Sequence, residues 1–153
     1  NKYNLYLIED CAEALGSYYN NKHVGTFGDI ATFSFYGNKL ITTGEGGMVL
    51  TNDNKMSKRA FSYRNLGFQR DRKFYHTELG YNFRMTNLQA ALGVAQIEKI
   101  DELINIKRRL GQYYQKRLFD IPGINFDRLS HRLEVAFRSG LLLSEPTSKT
   151  ITS

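Results

Sequence analysis

The run Tyr3-Asn-Leu-Tyr-Leu-Ile8 is apolar, of strand length, and stops on the acidic pair Glu9-Asp10. Such a run fits a buried strand, and the carboxyl ends of strands are where open α/β sheets present ligand-binding groups. Ile30-Ala-Thr-Phe-Ser-Phe-Tyr36 alternates and is rich in β-formers, and Gly47-Met-Val-Leu-Thr51 reads as another strand. Between these two strands lies a loop with four glycines, Gly37 to Gly47. A short helical stretch is predicted for Cys11 to Leu15, stopped by Gly16, with turns around a short extended piece from Ser17 to Asp29. Asn52 or Asp53 is placed to cap a helix running to about Asn65, with Gly67 as its stop.

Further along, Phe68 to Arg84 forms a long polar-aromatic loop, a feature that in compact domains marks function or an interface. Thr86-Asn-Leu-Gln89 is a capping box for a helix reaching about Ile100, with Leu88, Ala91, Leu92, Ala95 and Ile100 expected on its apolar side. A second helix, Asp101 to Phe119, carries Ile104, Leu110, Tyr114 and Leu118 at helical spacing and ends before Pro122-Gly123. From about Leu129 the pattern fades into a polar tail expected to be poorly packed.

Composition narrows the class. At 41% apolar and 13% aromatic residues with 2 prolines, the chain is neither collagen-like nor disordered. A chain of 153 residues has the size for a substantial core. No window approaches the ~20 apolar residues of a bilayer span, so no membrane partner is expected. The opening residues carry acid where a signal peptide has small residues, and the single cysteine, Cys11, excludes an internal disulfide or a multi-cysteine zinc site. A cytoplasmic location follows as the expectation, with no metal centre. The net charge of +6 resides largely between Lys99 and Arg138, where nine cations interleave with five acids. That is a solvated helix face rather than a nucleic-acid-binding stripe, so no nucleic acid is expected.

Among the residues suited to chemistry, Lys39 stands out, held between Gly37-Asn38 and the apolar Leu40-Ile41. Desolvation favours a neutral amine, the form that condenses with a carbonyl. A phosphate-binding or merely exposed lysine is the other reading; Asn38-Lys39-Leu40 does not match the Gly-Lys-Ser/Thr of a P-loop. Asp10 gains meaning beside a Schiff-base lysine, because pyridoxal phosphate enzymes set a carboxylate against the pyridine nitrogen; otherwise it is a cap for the following turn. Ser34, on the same strand side as Tyr36, is placed to offer its hydroxyl to a phosphate.

Four ordered stretches carry a closer likeness: Leu7-Ile-Glu-Asp-Cys-Ala-Glu-Ala-Leu-Gly16, Val24-Gly-Thr-Phe-Gly-Asp29 running on to Phe35-Tyr-Gly-Asn-Lys39, Thr42-Thr-Gly-Glu-Gly-Gly47 to Asp53, and Leu79-Gly-Tyr-Asn-Phe-Arg-Met-Thr-Asn-Leu-Gln-Ala-Ala91. Over about residues 1–125 the chain resembles the pyridoxal-phosphate-dependent nucleotide-sugar aminotransferases of the DegT/DnrJ/EryC1 family. Glu-Asp-Cys-Ala-Glu-Ala and Phe-Tyr-Gly-Asn-Lys look most like its GDP-perosamine branch. The resemblance implies part of the fold-type I α/β large domain (1–98), a linking helix towards the small domain (99–125) and an atypical tail, truncated or frame-shifted (126–153). It implies Lys39 as the catalytic lysine that carries the cofactor, Asp10 as the pyridinium partner and Ser34 as a phosphate ligand. Glu13 stands where many members have Gln beside the cofactor's phenolic oxygen.

The likeness also implies a homodimer with shared active sites, in which Asn82 and Arg84 reach the neighbouring subunit's cofactor phosphate. His76, otherwise an exposed loop histidine, occupies a position near the sugar-nucleotide site. The implied reaction moves an amino group, from glutamate as the amino-acid donor, to C4 of a nucleotide-linked 4-keto-6-deoxysugar. A dehydratase branch with His at the lysine position is disfavoured by Lys39. The family's N-terminal phosphate-cradling segment and its C-terminal domain lie beyond these residues. The rival expectation is an inactive fragment that retains only a subunit-association surface over residues 68–98.

Overall fold

The computed structural model describes residues 2–68, 71–72, 74–125, 133–134 and 142–143. In chain order the elements are β1 (Ile8–Asp10), β2 (Tyr18–Tyr19), β3 (Lys22–His23), β4 (Ile30–Ser34), β5 (Gly47–Leu50), α1 (Asn54–Arg64), α2 (Asn87–Ile97), α3 (Ile100–Leu118), β6 (Ile124–Asn125), β7 (Leu133–Glu134) and β8 (Leu142–Leu143). One sheet has the order β1-β4-β5, a second β3-β2-β7, and β6 pairs with β8. β1 runs parallel to β4, with Ile8 opposite Ile30 and Asp10 opposite Thr32. β5 returns antiparallel, with Val49 opposite Thr32 and Gly47 opposite Ser34. The tail expected to pack poorly lies outside the described residues except for β7 and β8.

The first strand begins later than its apolar run. Leu7 N–H donates to Asp29 Oδ2 at 2.7 Å, and Leu7 C=O accepts from Asp29 N–H at 2.9 Å. Regular strand pairing begins just after this clamp, at Ile8, and Tyr3, Leu5 and Tyr6 before it are 71–75% exposed. The helix expected at 11–15 is instead two successive turns, Ala14 N–H to Cys11 C=O and Ser17 N–H to Ala14 C=O. Five residues are too few to repay helix nucleation, and Gly16 at φ +80° leaves the helical region at once. Asn20 and Asn21, both at positive φ, close the two-residue turn between β2 and β3; asparagine tolerates that left-handed backbone.

The helix caps follow the sequence. Asp53 Oδ1 accepts Lys55 N–H and Met56 N–H at 2.7 and 2.8 Å. Thr86 Oγ1 accepts Gln89 N–H, and Gln89 Oε1 accepts Thr86 N–H at 2.9 Å, which completes the capping box. Thr86→Ala, which removes the hydroxyl half of that box, is expected to lower stability by about 1 kcal/mol, read as a fall in melting temperature of a few degrees.

The apolar sides of the helices are largely uncovered among the described residues. In α2 no residue is buried, and the apolar positions point away from the rest of the chain, Leu88 being 82% and Leu92 58% exposed. The side turned inward carries Gln89, Gly93 and Gln96. In α3, Ile104 and Gly111 are buried, whereas Leu110 and Tyr114 face out. Among the described residues the buried apolar set is Cys11, Ala31, Phe35, Ile41 and Ile104. Size therefore does not bring the expected core, because so many apolar side chains lack a covering layer within this chain.

Candidate functional site around Lys39

Alternation along β1 separates its two acids. In a parallel pair, residues opposite one another share a face, so Asp10 lies on the face of Thr32 and Ser34 while Glu9 lies on the other. Asp10 Oδ1 accepts Ala12 N–H at 3.1 Å, which sets the carboxylate in the turn that follows β1. Gly47, opposite Ser34, adds no side chain beside the serine. A Cβ there would meet Phe33 O at 2.6 Å.

Lys39 sits in a loop tied by its own backbone. Lys39 N–H donates to Tyr36 C=O, Thr43 N–H and Thr42 Oγ1–H both donate to Phe35 C=O, and Phe35 N–H donates to Gly46 C=O. The Nζ of Lys39 contacts Glu13 Oε1 in an ion pair, and the lysine side chain is 17% exposed against 55% for the glutamate. The amine thus meets a carboxylate instead of the apolar wall suggested by Leu40-Ile41; Ile41 is buried. A Cβ on Gly44 would meet nothing within 4 Å and one on Gly37 only Gly44 O at 3.9 Å, so the loop is open at these two glycines.

The remaining site candidates form a second group. Asn82 Oδ1 accepts from Arg84 Nε at 3.0 Å, and Asn82 bridges to Asn65. Met85 approaches Gly46, which brings this segment to the edge of the glycine-rich loop. His76 pairs with Phe68 across an isolated bridge, its ring 4.9 Å from the phenyl ring. Its Nδ1 lies 2.6 Å from Leu66 C=O, and since a carbonyl only accepts, that nitrogen carries the proton. Asp10, Ser34, Glu13 and Lys39 belong to the sheet end, whereas Asn82, Arg84 and His76 cluster on the 65–84 segment. A cavity of about 840 Å³ between α1 and this segment, lined by Lys55, Arg59 and Phe68 among others, contains none of these candidates.

Glu9 is the residue the sequence reading passed over. Its Oε1 accepts Phe27 N–H and Gly28 N–H at 2.7 and 2.6 Å, and its Oε2 accepts Gly25 N–H at 2.8 Å. Burial works against the charged form. Hydrogen bonds from Gly28, Gly25 and Phe27 and the Lys22 charge outweigh it and hold the carboxyl below its ordinary range. Gly25 is obligatory here, with φ +93° and a Cβ position 2.7 Å from the Phe33 ring. The legible signal was the acidic pair itself, because adjacent strand residues face opposite ways and only one can serve an open site. Cys11, fully buried beside these acids, has its thiol pushed up by burial and by the charges of Glu9 and Asp10.

Comparison with known proteins places this arrangement. The chain belongs to the DegT/DnrJ/EryC1/StrS aminotransferase family, whose model matches residues 1–150. It is 54% identical over 122 residues to GDP-perosamine synthase of Escherichia coli O157:H7, a match covering 80% of this chain and 34% of that protein. Its fold matches Helicobacter pylori PseC, an aminotransferase of pseudaminic acid biosynthesis, with a TM-score of 0.75 and 35% identity over 81% of this chain and 34% of the other. It also matches Escherichia coli GDP-4-keto-6-deoxy-D-mannose-3-dehydratase with bound hydrated PLP, with a TM-score of 0.73 and 28% identity over 80% of this chain and 36% of the other. The chain spans about a third of the length of the curated relatives it matches. The fold is accordingly part of the α/β large domain of a fold-type I aminotransferase, followed by helices that lead onward.

Proposed function

We propose that this chain carries the lysine-bearing part of a pyridoxal-phosphate-dependent aminotransferase that moves an amino group from glutamate to C4 of a nucleotide-linked 4-keto-6-deoxysugar, as in GDP-perosamine formation. The observation that carries this reading is the donor set. An amine, two carboxylates and a hydroxyl are borne by one sheet end and its adjoining loops, with open space at Gly44. Those groups fit pyridoxal phosphate, which asks for an amine at its aldehyde, a carboxylate at its ring nitrogen and donors at its phosphate. When bound, that cofactor supplies an electron-withdrawing ring.

The chain's own residues do the rest. Lys39 holds the cofactor and then takes and returns a proton at Nζ. Glu13 lies against that amine and steadies it, standing where many relatives have Gln. Asp10 holds the ring nitrogen protonated, and Ser34 binds the phosphate. Asn82 and Arg84 serve the phosphate of a second subunit, and His76 lines the approach of the sugar nucleotide.

A homodimer formed through residues 68–98 accords with the exposed Leu79, Phe83, Leu88 and Leu92. Residues 1–98 then belong to the cofactor-binding domain and 99–125 lead to the small domain. No helix among the described residues is long and apolar enough to cross a membrane, in keeping with a cytoplasmic enzyme.

The test is an assay of the complete protein, glutamate and pyridoxal phosphate present, against GDP-4-keto-6-deoxymannose and its dTDP and UDP counterparts. Amino transfer to the GDP sugar, with kcat/KM at least about tenfold above the others, is the expected result. Turnover of none of the three would remove the reading.

A further inference from the structure

The inward side of α2 is polar, and the hydrogen bonds it makes to the rest of the chain fall on one short segment, Thr42 to Glu45. Gln96 Oε1 accepts Thr42 N–H at 3.0 Å, while Gln96 Nε2 donates to Thr42 C=O at 2.7 Å. One side-chain amide therefore pairs with both backbone groups of a single residue, as a neighbouring strand would. The same Nε2 donates to Leu92 C=O at 2.7 Å, which fixes the amide against its own helix. About two turns before, Gln89 Nε2 donates to Glu45 C=O at 3.2 Å. Between the two glutamines, Gly93 brings the helix close; a Cβ there would lie 3.1 Å from Thr43 Cγ2.

Positions 89, 93 and 96 form one helical stripe. We infer that this Gln89-Gly93-Gln96 stripe is a clamp that sets the position of the Lys39 loop, with Gln96 acting as a positioning residue through Thr42. The loop offers the clamp a short lever. Thr42 Oγ1 and Thr43 N–H both close on Phe35 C=O, so Phe35 and Thr42-Thr43 form the neck from which residues 36–41, Lys39 among them, project. Gly44 N–H donates to Thr42 Oγ1 at 2.9 Å, which ties the next turn to the same hydroxyl. A residue 54 positions away in sequence thereby holds the base of the lysine loop. Both glutamines bond to backbone groups, at Thr42 and Glu45, rather than to loop side chains.

The consequence for Lys39 rests on the aminotransferase reading, since reactive groups displaced by about 1 Å lose rate on the order of a hundredfold. Gln96→Glu is the discriminating variant: its carboxylate still accepts Thr42 N–H, keeps helix propensity and volume, and loses the bond to Thr42 C=O. Gln96→Leu removes both bonds at similar size. Two readouts on the complete protein separate the clamp from the function. Amide hydrogen exchange at Thr43 and Gly44, neither of which bonds to Gln96, is expected to rise about tenfold in Gln96→Leu and less in Gln96→Glu. The rate at which added pyridoxal phosphate develops its lysine-bound absorption band, and kcat, are each expected to fall about tenfold or more, with KM for the sugar within about twofold.

Unchanged exchange at Thr43 and Gly44 overturns the clamp, whatever the activity. Faster exchange with unaltered cofactor capture and kcat overturns the positioning role of Gln96. A wild-type protein that takes up no cofactor on Lys39 yet shows the exchange difference overturns the proposed function, while loop restraint by α2 stands.

Discussion

Lys39→Ala is expected to lower amino transfer by roughly 10⁴-fold or more, because it removes both the amine that holds the cofactor and the group that moves the proton. In the complete wild-type protein, pyridoxal phosphate should give a visible absorption band that borohydride removes. Mass analysis should then find the pyridoxyl label on the peptide containing Gly37-Asn38-Lys39. The variant should still bind cofactor non-covalently through Asp10 and Ser34, at higher Kd. Asp10→Asn separates the roles: the label on Lys39 persists, while kcat falls because an uncharged ring withdraws electrons less strongly. A label on another lysine, or full turnover in Lys39→Ala, would discard the mechanism.

The largest stability effect is expected at Glu9, a residue outside the chemistry. Glu9→Ala leaves Gly25, Phe27 and Gly28 N–H without their acceptor, at a cost of roughly 2–4 kcal/mol for bonds to a charged group. Glu9→Gln keeps one oxygen but turns an NH₂ towards donors, so it loses a smaller share.

The pH dependence follows from the lowered carboxyl. The folded state holds Glu9 ionised to lower pH than the unfolded chain, whose ordinary value is 4.5. Its stabilisation is fully present above that value and is lost as pH falls through the lower folded-state value. Urea unfolding of wild type and Glu9→Gln should show a constant gap between pH 6 and 8 and a narrowing one below about pH 4.5. A gap that is the same at low pH would mean the carboxylate charge contributes nothing.

Local chemistry is what single-sequence reading captured best. The Asp53 cap, the Thr86-Gln89 box and the extended segments of β4 and β5 depend on residues within a few positions of one another, so propensity and spacing suffice. The same reading singled out Asp10, Ser34 and Lys39 as candidates, and the family likeness added Glu13, Asn82, Arg84 and His76. It misjudged β1, whose length depends on a clamp between Leu7 and Asp29, 22 positions apart. It listed the apolar side of α2 without saying which part of the molecule meets it, because an apolar stripe indicates burial without naming what covers it. Here the polar stripe grips the Lys39 loop and the apolar one faces out.

By itself, then, the sequence determined the β4 and β5 segments, the three helices from Asn54 onward and the Asp53 and Thr86 caps, because these follow from side-chain chemistry and short spacings. Only the tertiary structure decided that Glu9, on the opposite face of β1 from Asp10, is the acid that braces the 25–28 turn. That choice comes from strand alternation together with the register of β1 on β4. Tertiary structure also decided that Gln96 meets Thr42 and that Glu13 meets Lys39. Both contacts join residues far apart along the chain, and a contact of that kind exists only once folding has supplied the geometry that local preference cannot encode.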